Sequence, residues 1–297
     1  MITKFKKLFN QANYLATPVY EHLPLWIFPQ RPLRFKAYCA GMTKTGTTSL
    51  HTIFRHQYRS AHEAESRFLC KKTLAFLKGK IDKDQFTQYI KHRDQRLNLE
   101  IDSSALNYFV LDILVKEFSE AKFILTLRDC YSWLDSAINY YPQAQKSSYT
   151  YWLRSHCRAF FNFVNKMDKR NLANYAKEEQ ILADNNFFPL DIYFSRWAKH
   201  TNKVLTTVPA ERLLVVKTSE INQSIPQIEM FLGIEPNTLP THIHSNKARQ
   251  KIGFVSQIDK NFLEAKAKLH CHELMSRYFP EVKGYNFTNV ENKVISK

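Results

Sequence analysis

Glycine is scarce in this chain, with six in 297 residues. No glycine-rich linker, internal repeat or low-complexity tract divides it. Cysteine is scarce too: Cys39, Cys70, Cys130, Cys157 and Cys271 make an odd count, with no C-x-x-C spacing. That excludes a disulfide framework as the simplest reading and points to a reduced, cytoplasmic protein. No apolar run approaches the ~20 residues of a membrane-spanning helix. The opening "MITKFKKLFNQANYLATPVY" is basic and amphipathic but lacks the apolar centre of a signal peptide. It suits packing on the domain first, and peripheral contact with a membrane or another subunit second. Acidic residues are also few, 27 against 43 Lys and Arg, for a net charge of +16. A balance that basic calls for an anionic partner. Nucleic acid is not the expected one, because the basic residues are spread along the chain rather than gathered in one run.

What is present is globular: 44% hydrophobic and 14% aromatic residues. The first 30 residues read as an extension, closed by the proline-punctuated "LPLWIFPQRPLRF", and 31–297 as a single domain. Within it, "FKAYCAG", "LNLEIDSS", "AKFILTLRD" and "ERLLVVKTSEI" read as buried strands. Between them "TTSLHTIFRHQY", "ALNYFVLDILVKEF", "CYSWLDSAINYY" and "SIPQIEMFLGI" read as helices, the second capped by Ser103 or Ser104 and the last stopped by Gly233. Strands alternating with helices predict a three-layer α/β fold, a parallel sheet flanked by helices. Residues 147–209, rich in aromatics and helix formers, read as a helical insertion or lid.

The stretch "GMTKTGTTSL", residues 41–50, lies between the first strand and the first helix. Two glycines, the helix N-terminus and the hydroxyls of Thr47, Thr48 and Ser49 suit an anion. Gly41 and Gly46 have the spacing of a nucleotide-triphosphatase loop, G-x-x-x-x-G-K-[ST], but Thr47 stands where that loop has lysine. The lysine is Lys44, inside the loop. The strand that should end in a metal-binding acid ends in Arg128-Asp129, a cation before the acid. Both departures argue against ATP hydrolysis.

The loop "KTGTTSL" resembles the 5′-phosphosulfate loop of P-loop sulfotransferases that use 3′-phosphoadenosine-5′-phosphosulfate (PAPS). "LRDCYSWLDSAINYY" resembles their 3′-phosphate site, an arginine ending a strand and a serine eight residues on, here Arg128 and Ser136. The resemblance spans roughly residues 36–280. It implies a sulfuryl transfer from PAPS to a hydroxyl or amine acceptor, releasing adenosine 3′,5′-bisphosphate, with no metal required. It also implies that Lys44, Thr45, Gly46, Thr47, Thr48 and Ser49 hold the phosphosulfate and that Lys44 stabilises charge on the leaving oxygen. "HSNKARQKI" stands where such enzymes close a basic loop over the nucleotide, implicating Lys247 and Arg249.

The acceptor, a small molecule, lipid or glycan, loses a proton as it attacks, so a general base is required. "SAHEAESRFL" offers Glu65, Glu63 and His62, with Glu65 first by analogy to carbohydrate-type members of the family. Those members carry a lysine beside the serine that Ser103 or Ser104 matches; here Asp102 precedes the serines, suited to orienting an acceptor or capping a helix. Tyr193 and Trp197, one turn apart, are candidate acceptor-pocket residues, though such pairs also build cores. The histidines His242, His244, His270 and His272 make no recognisable metal set. Two other readings remain open: a magnesium-dependent small-molecule or nucleotide kinase, and a non-catalytic nucleotide- or anionic-glycan-binding protein.

Overall fold

The computed structural model describes residues 23–28, 30–145, 157, 159–161, 163–164, 175–241 and 253–286. The basic N-terminal segment, Lys247, Arg249, His242, His244 and much of the expected 147–209 insertion lie outside the described residues.

The four strands read from the sequence are present: β1 Ala37–Cys39, β3 Ile101–Ser103, β4 Lys122–Leu127 and β5 Leu213–Lys217. A further three-residue strand, β2 Ser60–His62, carries no apolar run to announce it. All pairings are parallel, in the order β2-β3-β1-β4-β5. The helices are α1 Thr47–Phe54, α2 Ser66–Leu77, α3 Lys83–Leu97, α4 Leu111–Glu117, α5 Cys130–Gln145, α6 Gln180–Asp184, α7 Leu190–Thr207, α8 Ile225–Leu232 and α9 Lys260–Tyr278, among the described residues. The helix expected over "ALNYFVLDILVKEF" is divided into a 3₁₀ segment, Ala105–Val110, and α4. Its cap is Ser104, whose hydroxyl accepts from Leu106 N. Gly233 ends α8 in the left-handed conformation, φ 72°.

The period-2 alternation of the strands separates two cores. Ala37, Cys39, Ile124 and Val216 face α1 and α8, joining Leu50, Ile53, Phe54, Ile225 and Ile228. Tyr38, Phe123, Leu125 and Leu127 face the other way, into a larger core with α5, α7 and α9. The chain leaves β1 for β2 and β3 on one side, then returns to β4 on the other. The order therefore reverses between β1 and β4, and a ligand crevice is expected at the carboxyl ends of those two strands. The loop after β1 is 41–46, and Arg128 follows β4.

Candidate active site

The loop after β1 is shaped by close backbone approach. A Cβ on Gly41 would stand 1.9 Å from Thr126 Oγ1, so only glycine fits there. Gly46 has φ +104°, and a Cβ there would meet Ile221 Cδ1 at 2.7 Å. Lys44 itself is left-handed, φ 71°, which costs an L-residue about 1–2 kcal/mol. The surroundings hold the loop in this shape. Thr45 Oγ1 donates to Met42 O (2.7 Å) and meets Thr126 Oγ1 (3.0 Å). Thr218, just past β5, donates through Oγ1 to Thr45 O (2.5 Å) and Leu127 O (3.1 Å). Trp133 Nε1 on α5 donates to Thr43 O (3.0 Å). Thr45 is thus buried in the loop's own bonding, while Thr47, Thr48 and Ser49 open α1. Gly46 at the N-cap contributes no side-chain cap, and first-turn N–H groups have no partner within their own helix.

Arg128 stands at the matching edge of β4. Its Nε donates to Ser132 Oγ (2.9 Å), one turn into α5. Asp129 spends its carboxylate on the first turn of α5, accepting from Ser132 N (2.9 Å) and from the Ser132 hydroxyl. Ser136 lies one turn beyond Ser132 on the same face and is half-buried. The Arg128 carbonyl accepts from Trp197 Nε1 (2.9 Å). Trp197 is 1% exposed, and Tyr193 is buried against Trp133, ring centroids 6.2 Å apart. Both belong to the core behind the site, which corrects their reading as acceptor-pocket residues: α7 packs into the domain and supports Arg128 from beneath. Burial holds the Lys44 ammonium below its usual range, and the nearby Arg128 guanidinium lowers it further. Burial likewise lowers Arg128, against the pull of Asp129 and Asp135.

Of the base candidates, His62 ends β2, level in register with Ser103, and Glu63 and Glu65 follow in the turn after it. His62 Nε2 is 3.2 Å from both Thr47 Oγ1 and Thr48 Oγ1. Burial pushes its pKa down to about 4, with neighbouring His51 adding to the effect, so the ring is neutral at pH 7. His51 Nδ1 in turn pairs with Ser60 Oγ at 2.8 Å. Glu63 accepts from Ser104 Oγ (2.9 Å) and Ala105 N (3.0 Å); burial raises its pKa, and these two bonds oppose the rise. Glu65 is held in a two-bond pair by Arg96, at 2.6 and 2.7 Å. Asp102 caps no helix. It is 1% exposed and paired with buried Arg93 at 2.9 Å, a correction forced by a partner nine residues earlier in the chain. Ser103 is wholly buried, its hydroxyl donating to Thr47 O (2.7 Å), and so props the start of α1.

The sequence reading missed Ser132, Thr218, Arg93 and Arg96. The i,i+4 spacing of Arg128 and Ser132 was a readable signal. The others act through contacts distant in sequence. Among the described residues no group of three or more His, Cys, Asp or Glu gathers as a metal site.

A domain-family model described as a sulfotransferase domain matches residues 36–247, well over half the chain. The chain belongs to that family. The matched range takes in the 41–49 loop, the β2 end and Arg128. No curated protein sequence matches the sulfotransferase closely. Among solved structures it is similar to a crystal structure of a sulfotransferase from Alicyclobacillus acidocaldarius, at 16% identity and TM-score 0.43, over 81% of this chain and 97% of that one. No helix among the described residues is long and apolar enough to cross a membrane, and all five cysteines are free and buried.

Proposed function

We propose that this sulfotransferase takes its sulfuryl group from PAPS and passes it to a hydroxyl or amine acceptor. The observation that carries the reading is the meeting of Lys44 and Arg128 across the β1/β4 crevice, two part-buried cations lowered from their usual pKa range. Bringing like charges together in a low-dielectric site is costly. An anion with two separate charged ends offsets that cost. Lys44, the first-turn N–H groups of α1 and the hydroxyls of Thr47, Thr48 and Ser49 suit a phosphosulfate. Arg128 with Ser136 suits a 3′-phosphate, the arginine offering a planar fork. The glycine-only approach at Gly41 and the uncapped helix start at Gly46 fit such a cradle.

PAPS supplies an electrophilic sulfur and a leaving group whose bridging oxygen gains charge as the bond breaks. The Lys44 ammonium is the loop cation that meets this charge, an interaction stronger at the transition state than before it. His62 takes the acceptor's proton at Nε2. It meets the hydroxyls of Thr47 and Thr48, whereas Glu65 is tied to Arg96 and Glu63 to Ser104 and Ala105. Negative charge beside the ring raises the pKa of His62 toward the range of a useful base.

The test is transfer from sulfur-labelled PAPS to a panel of alcohols, phenols, amines and glycans, with EDTA present throughout. Labelled product that depends on Lys44 supports the reading. Turnover of magnesium-ATP with no use of PAPS sinks it in favour of a kinase.

A further inference from the structure

We propose that α3 is the positioning element for the catalytic base: Arg93 and Arg96, three residues apart, clamp the turn after β2 and thereby aim His62 at the loop hydroxyls. The inference rests on the proposed role of His62.

The turn adopts a backbone that its sequence does not favour. Glu63 and Glu65 are both left-handed, φ 55° and 49°, and neither is glycine or asparagine. Such residues persist where the surroundings over-determine them. Here each residue after His62 has its own anchor. Glu63 N donates to Ser103 O (3.3 Å) and its carboxylate holds Ser104 and Ala105. Ala64 O accepts from Arg93 Nη2 at 2.7 Å. The Glu65 carboxylate is gripped by both terminal nitrogens of Arg96. Two of these anchors come from one face of α3, so the helix sets the turn as a rigid unit.

The energetics favour a geometric role over a stabilising one. Arg93 is 4% exposed and Arg96 9%. Desolvating buried ion pairs generally cancels their attraction, and apolar residues of similar size serve the fold as well or better. These pairs are not even fully satisfied: Arg93 Nε, Arg96 Nε and Asp102 Oδ1 have no hydrogen-bond partner among the described residues. What the pairs provide, and an apolar contact would not, is direction. Arg96 fixes the Glu65 side chain in one orientation, and Arg93 fixes a backbone carbonyl. His62 is the residue immediately before these anchors, with Nε2 placed equally from Thr47 and Thr48.

The deciding experiment replaces both members of one pair, Glu65→Met with Arg96→Met, so that no buried charge is left alone and the core volume is kept. The double variant is compared with wild type by thermal unfolding, titration with adenosine 3′,5′-bisphosphate, and transfer from PAPS with 2-naphthol and water as acceptor probes. The His62 ring signals are followed in parallel by nitrogen–proton NMR of histidine-labelled protein. The expected result is a folded protein that binds the bisphosphate within about twofold of wild type, with turnover down about 10- to 100-fold and the His62 signals shifted while those of buried His200 stay put. Restoring the arginine alone, in Glu65→Gln with Arg96 intact, should recover most of the His62 signal position. Wild-type turnover or unmoved His62 signals in the double variant would overturn the proposal and make the pair a fold element only. The NMR arm reads the clamp without any PAPS chemistry. A shifted His62 in a protein whose wild type ignores PAPS would overturn the sulfotransferase mechanism and leave the clamp standing.

Discussion

The site has two halves built on opposite plans. The anion half is local: residues 41–49 are continuous, and Arg128, Ser132 and Ser136 lie within nine residues of each other. Burial lowers both of its cations; the Arg128 charge lowers Lys44 further, while Asp129 and Asp135 pull Arg128 back up. The base half is assembled from a distance. His62, Glu63, Asp102, Arg93 and Arg96 come from two strands and a helix, and there each arginine is matched to an acid. In one half a cation depresses its neighbouring cation; in the other, ion pairs join a helix to a strand and to the turn after another strand. On the proposed function, preorganisation differs between them: an anion supplies counter-charge to the first half, whereas the second is set by ion pairs within the protein.

The sharpest way to break this contrast is to remove the loop cation. Lys44→Ala should lower single-turnover transfer at saturating PAPS by about a hundred- to a thousandfold, the usual effect of losing one preorganised donor to developing charge. Binding of the bisphosphate product should change much less, because backbone N–H groups and three hydroxyls remain. Equal losses in rate and affinity would reduce Lys44 to a binding residue.

Acid should destabilise the fold through its buried neutral histidines, one in the base half and one beside the loop. His62 and His200 both have folded pKa values lowered by burial to about 4, against 6.5 for an exposed imidazole. His200 is nearly inaccessible, and its Nε2 meets Ala40 O at 2.8 Å. Between those limits the unfolded chain binds more protons than the folded one, so stability rises with pH across roughly pH 4 to 6.5 and is lost on acidification. Each ring contributes up to about 3 kcal/mol to that loss. Urea unfolding at pH 7.5 and pH 5 measures it. His62→Asn should flatten the slope, and an unchanged slope in that variant would contradict the assignment of a buried neutral ring.

Within the anion half, Arg128→Ala should weaken adenosine 3′,5′-bisphosphate by about 1.5–3 kcal/mol, the value of a charge-assisted contact, while leaving AMP nearly unaffected. Calorimetric titration of both nucleotides checks this; a parallel loss for AMP would mean Arg128 does not see the 3′-phosphate. The smallest effect is expected at the tie between β5 and the loop. Thr218→Val removes the bonds to Thr45 O and Leu127 O at nearly constant volume. It should cost about 1 kcal/mol in unfolding free energy. No cost by chemical denaturation would show that the loop's left-handed shape is held without β5.

The same contrast governs what was legible in the sequence. The β1–loop–α1 and β4–α5 units announce themselves because strand, turn and helix follow each other and the functional groups keep fixed offsets: Lys44 before Gly46, and Ser136 eight after Arg128. The parallel sheet and its flanking helices follow from alternating apolar runs. The base half has no such local grammar. β2 is three residues, Ser-Ala-His, too short and polar to show a period. Glu65 reads as a free acid until Arg96, thirty-one residues later, closes on it. Asp102 beside two serines reads as a cap, yet Arg93 claims it. Trp197 reads as a pocket aromatic because its bond partner, the Arg128 carbonyl, is sixty-nine residues away. Where geometry depends on two distant side chains sharing a buried space, residue types alone do not reveal the pairing.

The central claim is that the β1/β4 crevice is built for a nucleotide with phosphates at both its 5′ and 3′ ends. Titration of the wild-type sulfotransferase with adenosine 3′,5′-bisphosphate, AMP and magnesium-ATP under identical salt tests it most directly. The account predicts that the bisphosphate binds at least about tenfold more tightly than AMP, the equivalent of one additional charge-assisted contact, and more tightly than magnesium-ATP. Equal affinity for the bisphosphate and AMP, or tightest binding of magnesium-ATP, would contradict it.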